Sequence, residues 1–418
     1  MRVLLIDVNC KYSSTGKIVY SLYQAVRANG DEAAICYGRG PLINEENIYR
    51  FSPPAEVYVH ALLTRITGLT GCFSPLATRN LIRYMEQYRP DVVHIHELHA
   101  YFVNLAPIIS YLKEKHIPTV WTFHCEFMYT GKCGHSYECE KWKTGCGHCP
   151  RLKEYPSSLL LDQTSAMWKE KKRLLWDWPE LVITTPSEWL RSRVMRSFCR
   201  NHLIFTIYNG VNLRIFHPHE TSEENNCTSK KEKIVLSVAP NLLSDDNKGG
   251  RWILKLAEAM KDQNVRFLMV GVTDDQQKTC KVPDNVTLVT KTKNQEQLAR
   301  YYSAADAFLI CSKRENFPTT CLEALACGTP VCGWDTGGTK ETDPEHPERF
   351  VEFGNLDALR GVLEQVLREP KGNTKKWDSR VMTEQYLDIY RELDQRAKGK
   401  KLNENSTYSA NGTLYRKI

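Results

Sequence analysis

Two glutamates lie eight residues apart in the segment SKRENFPTTCLEALACGTPVCGW, residues 312–334. Glu315 stands in a loop after a predicted strand, and a helix is predicted to begin around Thr319 or Thr320. The free N–H groups and the positive dipole end of such a helix suit a bound diphosphate. An ionised Glu323 can accept hydrogen bonds from a pair of sugar hydroxyls, and Glu315 would face the group that is transferred. The alternative is that both are ordinary helix-surface charges, but Glu323 lies within the apolar run CLEALAC, where a carboxylate needs a partner.

Short β-branched runs alternate with longer amphipathic stretches, which is typical of parallel strands joined by crossover helices. The predicted strands are Val3–Val8, Glu32–Cys36, Val92–Ile95, Thr119–Phe123 and Leu181–Thr185, and then Ile234–Val238, Arg266–Val270, Val286–Val289, Ala307–Ile310 and Pro330–Gly333. The predicted helices are Ile18–Asn29, Thr78–Tyr88, Asn104–Lys115, Arg251–Lys261, Gln295–Ala304 and Thr320–Ala326. The fold class is therefore α/β with two parallel sheets, and since such sheets bind ligands at the carboxyl ends of their strands, we expect the active site in a cleft between the two domains.

The alternation of strands and helices begins again after a polar, charged segment, which indicates two domains joined by a linker. The predicted parts are an N-terminal domain of residues 1–215 with a cysteine-rich insertion at 125–150, a linker at 216–233, a C-terminal domain at 234–375, a C-terminal helix at 376–394 and a disordered tail at 395–418.

Composition narrows the class of protein. The net charge of +7 is modest, which argues against a nucleic-acid partner and suits phosphate-rich small ligands or an anionic membrane surface. No uncharged apolar run reaches the ~18 residues of a membrane span, and MRVLLIDVNC is typical of a buried first strand rather than a signal peptide. Most of the fifteen cysteines stand singly in apolar runs, which favours a reducing, cytoplasmic compartment.

Several segments together carry a family resemblance. The spacing Glu315-x7-Glu323, followed by LACGTPVCGWDTGGTKE, resembles the signature of the family-4 retaining glycosyltransferases of GT-B fold. Three further segments are similar to parts of that family: TTPSEWLRSRV (184–194), YNGVNLRIFHP (208–218) and VAPNLLSDDNKGG (238–250). The resemblance covers most of the C-terminal half.

The resemblance implies two Rossmann-like, doubly wound parallel-sheet domains facing a central cleft. It implies transfer of a hexose, with retention of anomeric configuration, from a UDP- or GDP-linked sugar to a saccharide or lipid-linked acceptor in bacterial surface polysaccharide biosynthesis. The acceptor hydroxyl attacks on the face from which the nucleotide diphosphate leaves. The family needs no catalytic metal, because helix N-termini and basic side chains stabilise the leaving diphosphate.

Residue by residue, Lys248 matches the family lysine that contacts the donor diphosphate. The usual arginine partner of that lysine is replaced, and Asn241, which cannot supply the charge, stands near its place; Arg251 and Lys313 are candidate substitutes. The catalytic residues implied are Glu315, His124 and Lys248. The donor-binding residues implied are Gly16, Asn241, Lys248, Thr290, Asn316, Phe317, Pro318, Thr319, Thr320 and Glu323.

The N-terminal half supplies the predicted acceptor side. NCKYSSTGKIVY resembles the family's first strand-to-helix loop, with one glycine, Gly16, where two are common; the spacing of a P-loop is absent. Backbone N–H groups of Ser14, Thr15 and Gly16 could contact donor phosphates or the acceptor. His124 in VWTFHC matches a family histidine beside the donor sugar. Among the acceptor-side residues are also His96 and His99; each histidine could instead be structural, and metal ligation by them is disfavoured.

The segment CGHSYECEKWKTGCGHCP contains four cysteines, and its C-G-H-C knuckle suits tetrahedral thiolate ligation. We therefore predict a structural zinc bound by Cys133, Cys139, Cys146 and Cys149; reduced thiols in a loop, or disulfides, are the alternatives. The segment is similar to an insertion in the polysaccharide, colanic-acid-type branch of the family. In that branch aspartate usually follows the strand-end histidine, where this chain has Cys125.

Residues 57–85 combine apolar positions with Arg65, Arg79 and Arg83. This stretch could lie on an anionic bilayer, as a peripheral contact at the inner face of the membrane, or pack on its own domain. Two alternatives to a transferase remain. A phosphorylase or epimerase would keep the fold, although no pyridoxal-binding lysine region is evident; a non-catalytic nucleotide-sugar-binding scaffold would keep the fold and the site.

Overall fold

The computed structural model describes residues 1–220, 232–372 and 376–399. The chain forms two compact units: the first comprises Met1–Tyr208 and the described residues from Met382, and the second is Asn209–Val381. The units therefore divide at residue 208, seven residues before the predicted boundary at 215. Most of the predicted linker, residues 221–231, and most of the predicted tail, residues 400–418, lie outside the described residues.

The first unit is built on a seven-stranded parallel sheet in the spatial order β3-β2-β1-β4-β5-β6-β7. Its strands are β1 (Arg2–Asp7), β2 (Glu32–Tyr37), β3 (Ile48–Arg50), β4 (Val92–Ile95), β5 (Thr119–Thr122), β6 (Leu181–Thr185) and β7 (Leu203–Thr206). In β4, β5 and β6 every residue is buried, because helices cover both faces of the sheet. The helices are α1 (Ser13–Ala28), α2 (Pro54–Thr67), α3 (Pro75–Tyr88), α4 (Leu105–Glu114), α5 (Thr164–Trp176) and α6 (Glu188–Val194).

The second unit holds a six-stranded parallel sheet in the order β10-β9-β8-β11-β12-β13. The strands are β8 (Lys233–Val238), β9 (Val265–Val272), β10 (Val286–Thr290), β11 (Ala307–Ile310), β12 (Val331–Trp334) and β13 (Phe350–Val351). The helices are α7 (Gly250–Ala259), α8 (Asp274–Thr279), α9 (Gln295–Ala304), α10 (Thr319–Ala326) and α11 (Leu356–Val366). Its core joins strand residues such as Val235, Phe267 and Leu309 to the inner faces of α7 and α11.

The last described helix, α12 (Ser379–Ala397), packs for most of its length in the first unit. Its Tyr386 and Tyr390 are buried in a core that includes Leu5 and Val120 of the N-terminal sheet. The predicted C-terminal helix is therefore present, but it is part of the first unit. It also continues to Ala397, so the first three residues of the predicted tail are helical.

Two Rossmann-like parallel-sheet domains confirm the predicted fold class. In both sheets the strand order reverses once, between β1 and β4 in the first and between β8 and β11 in the second. Ligands of open α/β sheets bind in the crevice outside the carboxyl ends of the strands at such a switch point. Among the described residues, no helix has both the length and the hydropathy needed to cross a bilayer.

Candidate active site

Two glycines allow the loop that follows β8 to fold tightly and to pack against the residue after β11. Gly249 has φ +74°, and a Cβ on it would lie 1.9 Å from the carbonyl oxygen of Cys311. A Cβ on Gly250 would lie 2.2 Å from the carbonyl oxygen of Leu242. Only glycine permits both approaches, so the sequence KGG brings its lysine to the switch point of the second sheet.

Backbone bonds join this loop to the one carrying Glu315. The N–H of Lys313 donates to the carbonyl oxygen of Asn247 at 2.8 Å, and the Asn247 side chain donates to the Arg314 carbonyl oxygen at 3.3 Å. The ammonium of Lys248 then donates to Oε1 of Glu315 at 2.8 Å. Side-chain exposure is 23% for Lys248 and 19% for Glu315, so the pair is reachable from solvent. The structure thus brings together two of the three predicted catalytic residues.

The start of α10 lies directly after this pair. Pro318 precedes the helix in an extended conformation and makes no capping hydrogen bond of its own. Thr319 and Thr320 of the first turn are half-buried. Phe317 anchors the turn: its ring lies 5.0 Å from that of Trp377, and its carbonyl oxygen accepts from Asn209 at 3.2 Å. Asn316 is also buried.

Glu323 is buried on the apolar helix α10, with 4% of its surface exposed. Its Oε2 accepts a hydrogen bond from the hydroxyl of Tyr302 at 2.9 Å. Burial and this carboxylate together raise the pKa of Tyr302 well above its usual range. One partner of this buried carboxylate is therefore Tyr302, on α9, which sequence reasoning did not identify.

Asn241, which stands near the place of the family arginine, has a structural role in the turn after β8. Asn241 is exposed and has φ +56°, a conformation that asparagine adopts more readily than most residues. Its carbonyl oxygen accepts from the N–H of Asp245 at 2.9 Å. Of the candidate substitutes, Arg251 lies over the ring of Trp252 at 5.4 Å, and Lys313 is half-buried. Thr290 is half-buried at the irregular end of β10.

At the switch point of the first unit, β1 ends in a fully buried carboxylate, Asp7. Its Oδ1 accepts from the N–H of Glu97 at 3.0 Å, and its Oδ2 accepts from the hydroxyl of Thr15 at 3.1 Å. Burial raises the pKa of Asp7 from 3.8 to about 7. Asp7 therefore ties the loop after β1 to the loop after β4. The signal in the sequence was a lone carboxylate closing the apolar run RVLLID.

The first turn of α1 contains the three predicted small residues. The N–H of Gly16 donates to the hydroxyl of Ser13 at 3.2 Å, and a Cβ on Gly16 would lie 3.2 Å from the carbonyl oxygen of Asn9. Thr15 is exposed in part but bonded to Asp7, and Ser14 is exposed. Their backbone thus begins a helix at the carboxyl edge of the sheet.

The strand-end histidines stack on one another, with His96 buried and His124 half-buried. Nδ1 of His96 lies 2.9 Å from Nε2 of His124, and burial lowers the pKa of His124 to about 4, so this imidazole is neutral at pH 7. His94 is bonded to Tyr390 at 2.5 Å and to Thr122 at 2.7 Å, which makes it structural. His96, predicted on the acceptor side, is 2% exposed and lies behind His124 as its hydrogen-bond partner.

Beside this stack lies a cluster of Glu97, His99 and Cys125. Oε2 of Glu97 is 2.5 Å from Nε2 of His99 and accepts from the Cys125 thiol at 3.7 Å, while Nδ1 of His99 is 3.3 Å from the hydroxyl of Tyr155. Burial opposes ionisation, but the charge of His99 holds the pKa of Glu97 at about 2. Sequence reasoning missed Glu97. Within the described residues, this is the group whose three metal-ligating atoms all lie within 4.8 Å of one another.

Comparison with known proteins decides the family. Residues 219–381 match the family model of Glycosyl transferases group 1, and residues 15–215 match that of Glycosyltransferase Family 4. The chain belongs to the family-4 glycosyltransferases of GT-B fold. The glycosyltransferase is 23% identical over 423 residues to the "Putative colanic acid biosynthesis glycosyl transferase WcaC" of Escherichia coli (strain K12), with 94% of this chain and 100% of that protein covered.

One further relative and one solved structure are similar to this chain. The glycosyltransferase is 24% identical over 199 residues to the N,N'-diacetylbacillosaminyl-diphospho-undecaprenol alpha-1,3-N-acetylgalactosaminyltransferase of Campylobacter jejuni, covering 43% of this chain and 52% of that protein. Its fold is similar to that of sucrose-phosphate synthase from Thermosynechococcus elongatus, with a TM-score of 0.66 at 18% identity, covering 94% and 98% of the two chains.

The four cysteines predicted to bind zinc lie in the insertion after β5. The thiols of Cys133 and Cys149 are hydrogen-bonded to each other, and the sulfur of Cys146 accepts from the N–H of Gly131 at 3.2 Å. Burial raises the pKa of the Cys146 thiol above its usual value. All cysteines of the described residues are free thiols.

The stretch predicted either to meet a bilayer or to pack on its own domain forms α2 and α3. One face of α2 is buried on the first unit through Val57, Ala61 and other residues, as the second alternative predicts. The opposite face remains exposed, with Tyr58 at 76% and Leu62 at 55%.

Proposed function

We propose that this glycosyltransferase moves a hexose from a nucleotide-diphosphate sugar to a saccharide acceptor, with retention, during assembly of a bacterial surface polysaccharide. The observation that supports this most is the Lys248–Glu315 pair, 2.8 Å apart, with Glu315 placed directly before the start of α10. The full-length relative named for colanic acid biosynthesis supports the pathway class.

On the donor side, the diphosphate accepts hydrogen bonds from the N–H groups of Thr319 and Thr320 and a charge-assisted bond from Lys248. When donor binds, Lys248 exchanges its carboxylate partner for phosphate, which leaves Glu315 to face the transferred sugar. Glu323, already held by Tyr302, accepts from donor hydroxyls. Asn316, Phe317 and Pro318 shape the turn, and the backbone near Thr290 contacts the base.

The chemistry needs positive charge where the leaving group develops negative charge. The glycosidic bond to the diphosphate breaks, the acceptor hydroxyl forms its bond to the same face of the anomeric carbon, and its proton passes to the leaving phosphate. Lys248 and the dipole of α10 supply the stabilising charge without a metal ion. His124, neutral at pH 7, orients the sugar by hydrogen bonding.

The first unit binds the acceptor in this proposal, through Ser14, Thr15 and His99. A lipid-linked acceptor agrees with the diphospho-undecaprenol named in the Campylobacter relative and with the exposed apolar face of α2. An enzyme with such an acceptor works at the cytoplasmic face of the membrane. Exposed Arg65 on α2 supplies the charge that anionic headgroups attract.

The test is a panel of UDP- and GDP-sugars with free and lipid-linked acceptors. We expect a thermal shift with one nucleoside diphosphate, release of that diphosphate from one donor, and an α-linked product from an α-linked donor by NMR. A thermal shift without turnover with any acceptor would instead support a non-catalytic nucleotide-sugar-binding protein. If no nucleotide shifts the melting temperature, both the transferase and the nucleotide-sugar-binding protein are contradicted.

A further inference from the structure

Three side chains of different chemistry meet at the carboxyl edge of the first sheet. Strands β4 and β5 pair in parallel, with Ile95 opposite Trp121, so the loops that follow the two strands are neighbours. The first loop carries Glu97 and His99, and the second carries Cys125. A carboxylate, an imidazole and a thiolate are each ligands of zinc in proteins.

The distances among the three ligating atoms are close to those around a metal ion. Oε2 of Glu97 lies 2.5 Å from Nε2 of His99 and 3.7 Å from Sγ of Cys125, and all three atoms lie within 4.8 Å of one another. Around tetrahedral zinc, with bonds of about 2.0–2.3 Å, the ligand atoms stand about 3.3–3.6 Å apart. The contact of Cys125 with Glu97 already has nearly that length, and the contact of Glu97 with His99 would need to open by less than about 1 Å.

Contacts outside the cluster hold the first two ligands in place. The N–H of Glu97 donates to Oδ1 of buried Asp7 at 3.0 Å. Nδ1 of His99 lies 3.3 Å from the hydroxyl of Tyr155, so Nε2 is the ring nitrogen that faces the carboxylate. Histidines that bind metals almost always give their other ring nitrogen to such a partner, which fixes the orientation of the ring.

The third ligand stands at the start of an anchored segment. Glu126, the residue after Cys125, is buried in an ion pair with Arg193 at 2.6 Å and accepts from the N–H of Ser136 at 2.6 Å. The backbone that carries the thiol is therefore held by contacts that do not involve the cluster, as a preorganised site requires.

The position of the cluster and its mixture of ligands indicate which ion it suits. Side-chain exposure is 10% for Glu97 and 23% for His99, and Cys125 is half-buried, so the centre is shielded but reachable from solvent. Mg²⁺ and Ca²⁺ take oxygen ligands, whereas imidazole and thiolate together suit zinc. Three protein ligands with one open position is the arrangement of zinc in reactive sites.

We propose that Glu97, His99 and Cys125 bind one Zn²⁺ through an oxygen, a nitrogen and a sulfur, with a fourth position open to solvent. Binding forms one Zn–O, one Zn–N and one Zn–S bond, while the thiol proton of Cys125 and the proton between Glu97 and His99 pass to solvent. The carboxylate and the thiolate together balance the charge of the ion. Binding of the ion does not depend on the proposed function. Under that function, on which this last step rests, an acceptor oxygen takes the open position and His99 contacts the acceptor through the ion.

The first experiment is metal analysis of the full-length protein by mass spectrometry, after equilibration with Zn²⁺ and removal of the excess by gel filtration. We expect the zinc content of C125S and H99Q to be lower than that of the wild type by about one atom per chain. C280S, which changes an exposed cysteine, should keep the wild-type content. Equal zinc contents in wild type, C125S and H99Q would overturn the proposal, whether the protein holds no zinc or holds it at the cysteines of the insertion.

The second experiment leaves all three ligands in place. Y155F removes the hydroxyl that orients His99 but keeps an exposed ring, so the variant should fold like the wild type. Its affinity for Zn²⁺, measured by competition with a chromophoric chelator, should be roughly tenfold to a hundredfold lower. Y58F, which changes an exposed tyrosine on α2, should bind zinc as the wild type does. An unchanged affinity in Y155F would contradict ligation through Nε2 of His99.

Co²⁺ in the wild-type protein gives a readout that needs no variant. We expect the charge-transfer absorption of a thiolate-to-cobalt bond, and its absence would refute ligation by Cys125. Azide should change the visible cobalt spectrum by entering the open position, and an unchanged spectrum would refute that position. None of these measurements needs turnover, so the thermal shift with nucleoside diphosphates tests the proposed function separately.

Discussion

Replacing Lys248 by methionine tests the donor site because the structure separates its effect on stability from its effect on catalysis. The Lys248–Glu315 pair is about one-fifth exposed on each side, and such partly solvated pairs contribute roughly 0–1 kcal/mol to folding. A loss of that size lowers the melting temperature of a 150–250-residue domain by no more than about 2–4 °C. K248M should therefore fold normally.

Its effect on turnover should be much larger. Removing one donor aimed at the developing negative charge of a transition state costs about 2.7–4 kcal/mol, or roughly a hundredfold to a thousandfold in kcat. The attraction between the Lys248 ammonium and the leaving diphosphate, which K248M removes, is of that order. Two unit charges 4 Å apart interact by about 4 kcal/mol at an effective dielectric constant of 20. We expect kcat for release of nucleotide diphosphate to fall by at least about a hundredfold.

The control is K255M, which changes an exposed lysine on α7 over the ring of Trp252 and should leave kcat unchanged. E315Q completes a double-mutant cycle. Because the two side chains are bonded in the free protein, their effects should be strongly non-additive. A K248M enzyme that keeps most of its kcat, or effects that simply add, would refute the placement of the leaving diphosphate at this lysine.

Three further outcomes follow from individual contacts. G249A should destabilise the second unit by about 3 kcal/mol or more, because its backbone has a positive φ and its Cβ would meet a carbonyl oxygen at 1.9 Å. Gly354 also has a positive φ, +91°, but has open space around it, so G354A should cost only the roughly 1–2 kcal/mol of left-handed backbone. Urea unfolding measures both, and equal costs would contradict the packing. Burial lowers the pKa of His60 from 6.5 to about 4, so the unfolded chain binds more protons than the folded protein between these pH values. The free energy of unfolding should therefore fall by up to roughly 3 kcal/mol as the pH drops from 6.5 to 4. H60Q should make the free energy of unfolding less dependent on pH in this range, and an unchanged pH dependence would contradict the burial of a neutral His60. Y302F should cost roughly 0.5–1.5 kcal/mol by removing the hydrogen bond from the Tyr302 hydroxyl to buried Glu323, and a melting temperature equal to that of the wild type would show that this bond contributes nothing.

The sequence predicted the fold class because strand and helix periodicities alternate along most of the chain. It did not predict α5, whose inward face carries Lys171 among Met167 and Leu174, since a lysine on the buried stripe breaks the apolar pattern. The C-terminal helix was evident, but nothing local indicates that it packs on the first sheet.

In the candidate site, too, features set by local sequence were predicted and those set by long-range contacts were missed. Glu315, Lys248 and the start of α10 were predicted because they lie in short segments with characteristic spacing. Asp7 and Glu97 were missed because they are 90 residues apart and meet only through the pairing of β1 with β4. Tyr302 was missed because the bond to Glu323 joins two helices.

A structure of the glycosyltransferase bound to its nucleoside diphosphate tests the central claim most directly. We expect phosphate oxygens within hydrogen-bond distance of the N–H groups of Thr319 and Thr320 and of Nζ of Lys248, with Lys248 moved away from Glu315. Phosphates bound elsewhere, with the 2.8 Å bond between Lys248 and Glu315 retained, would contradict it.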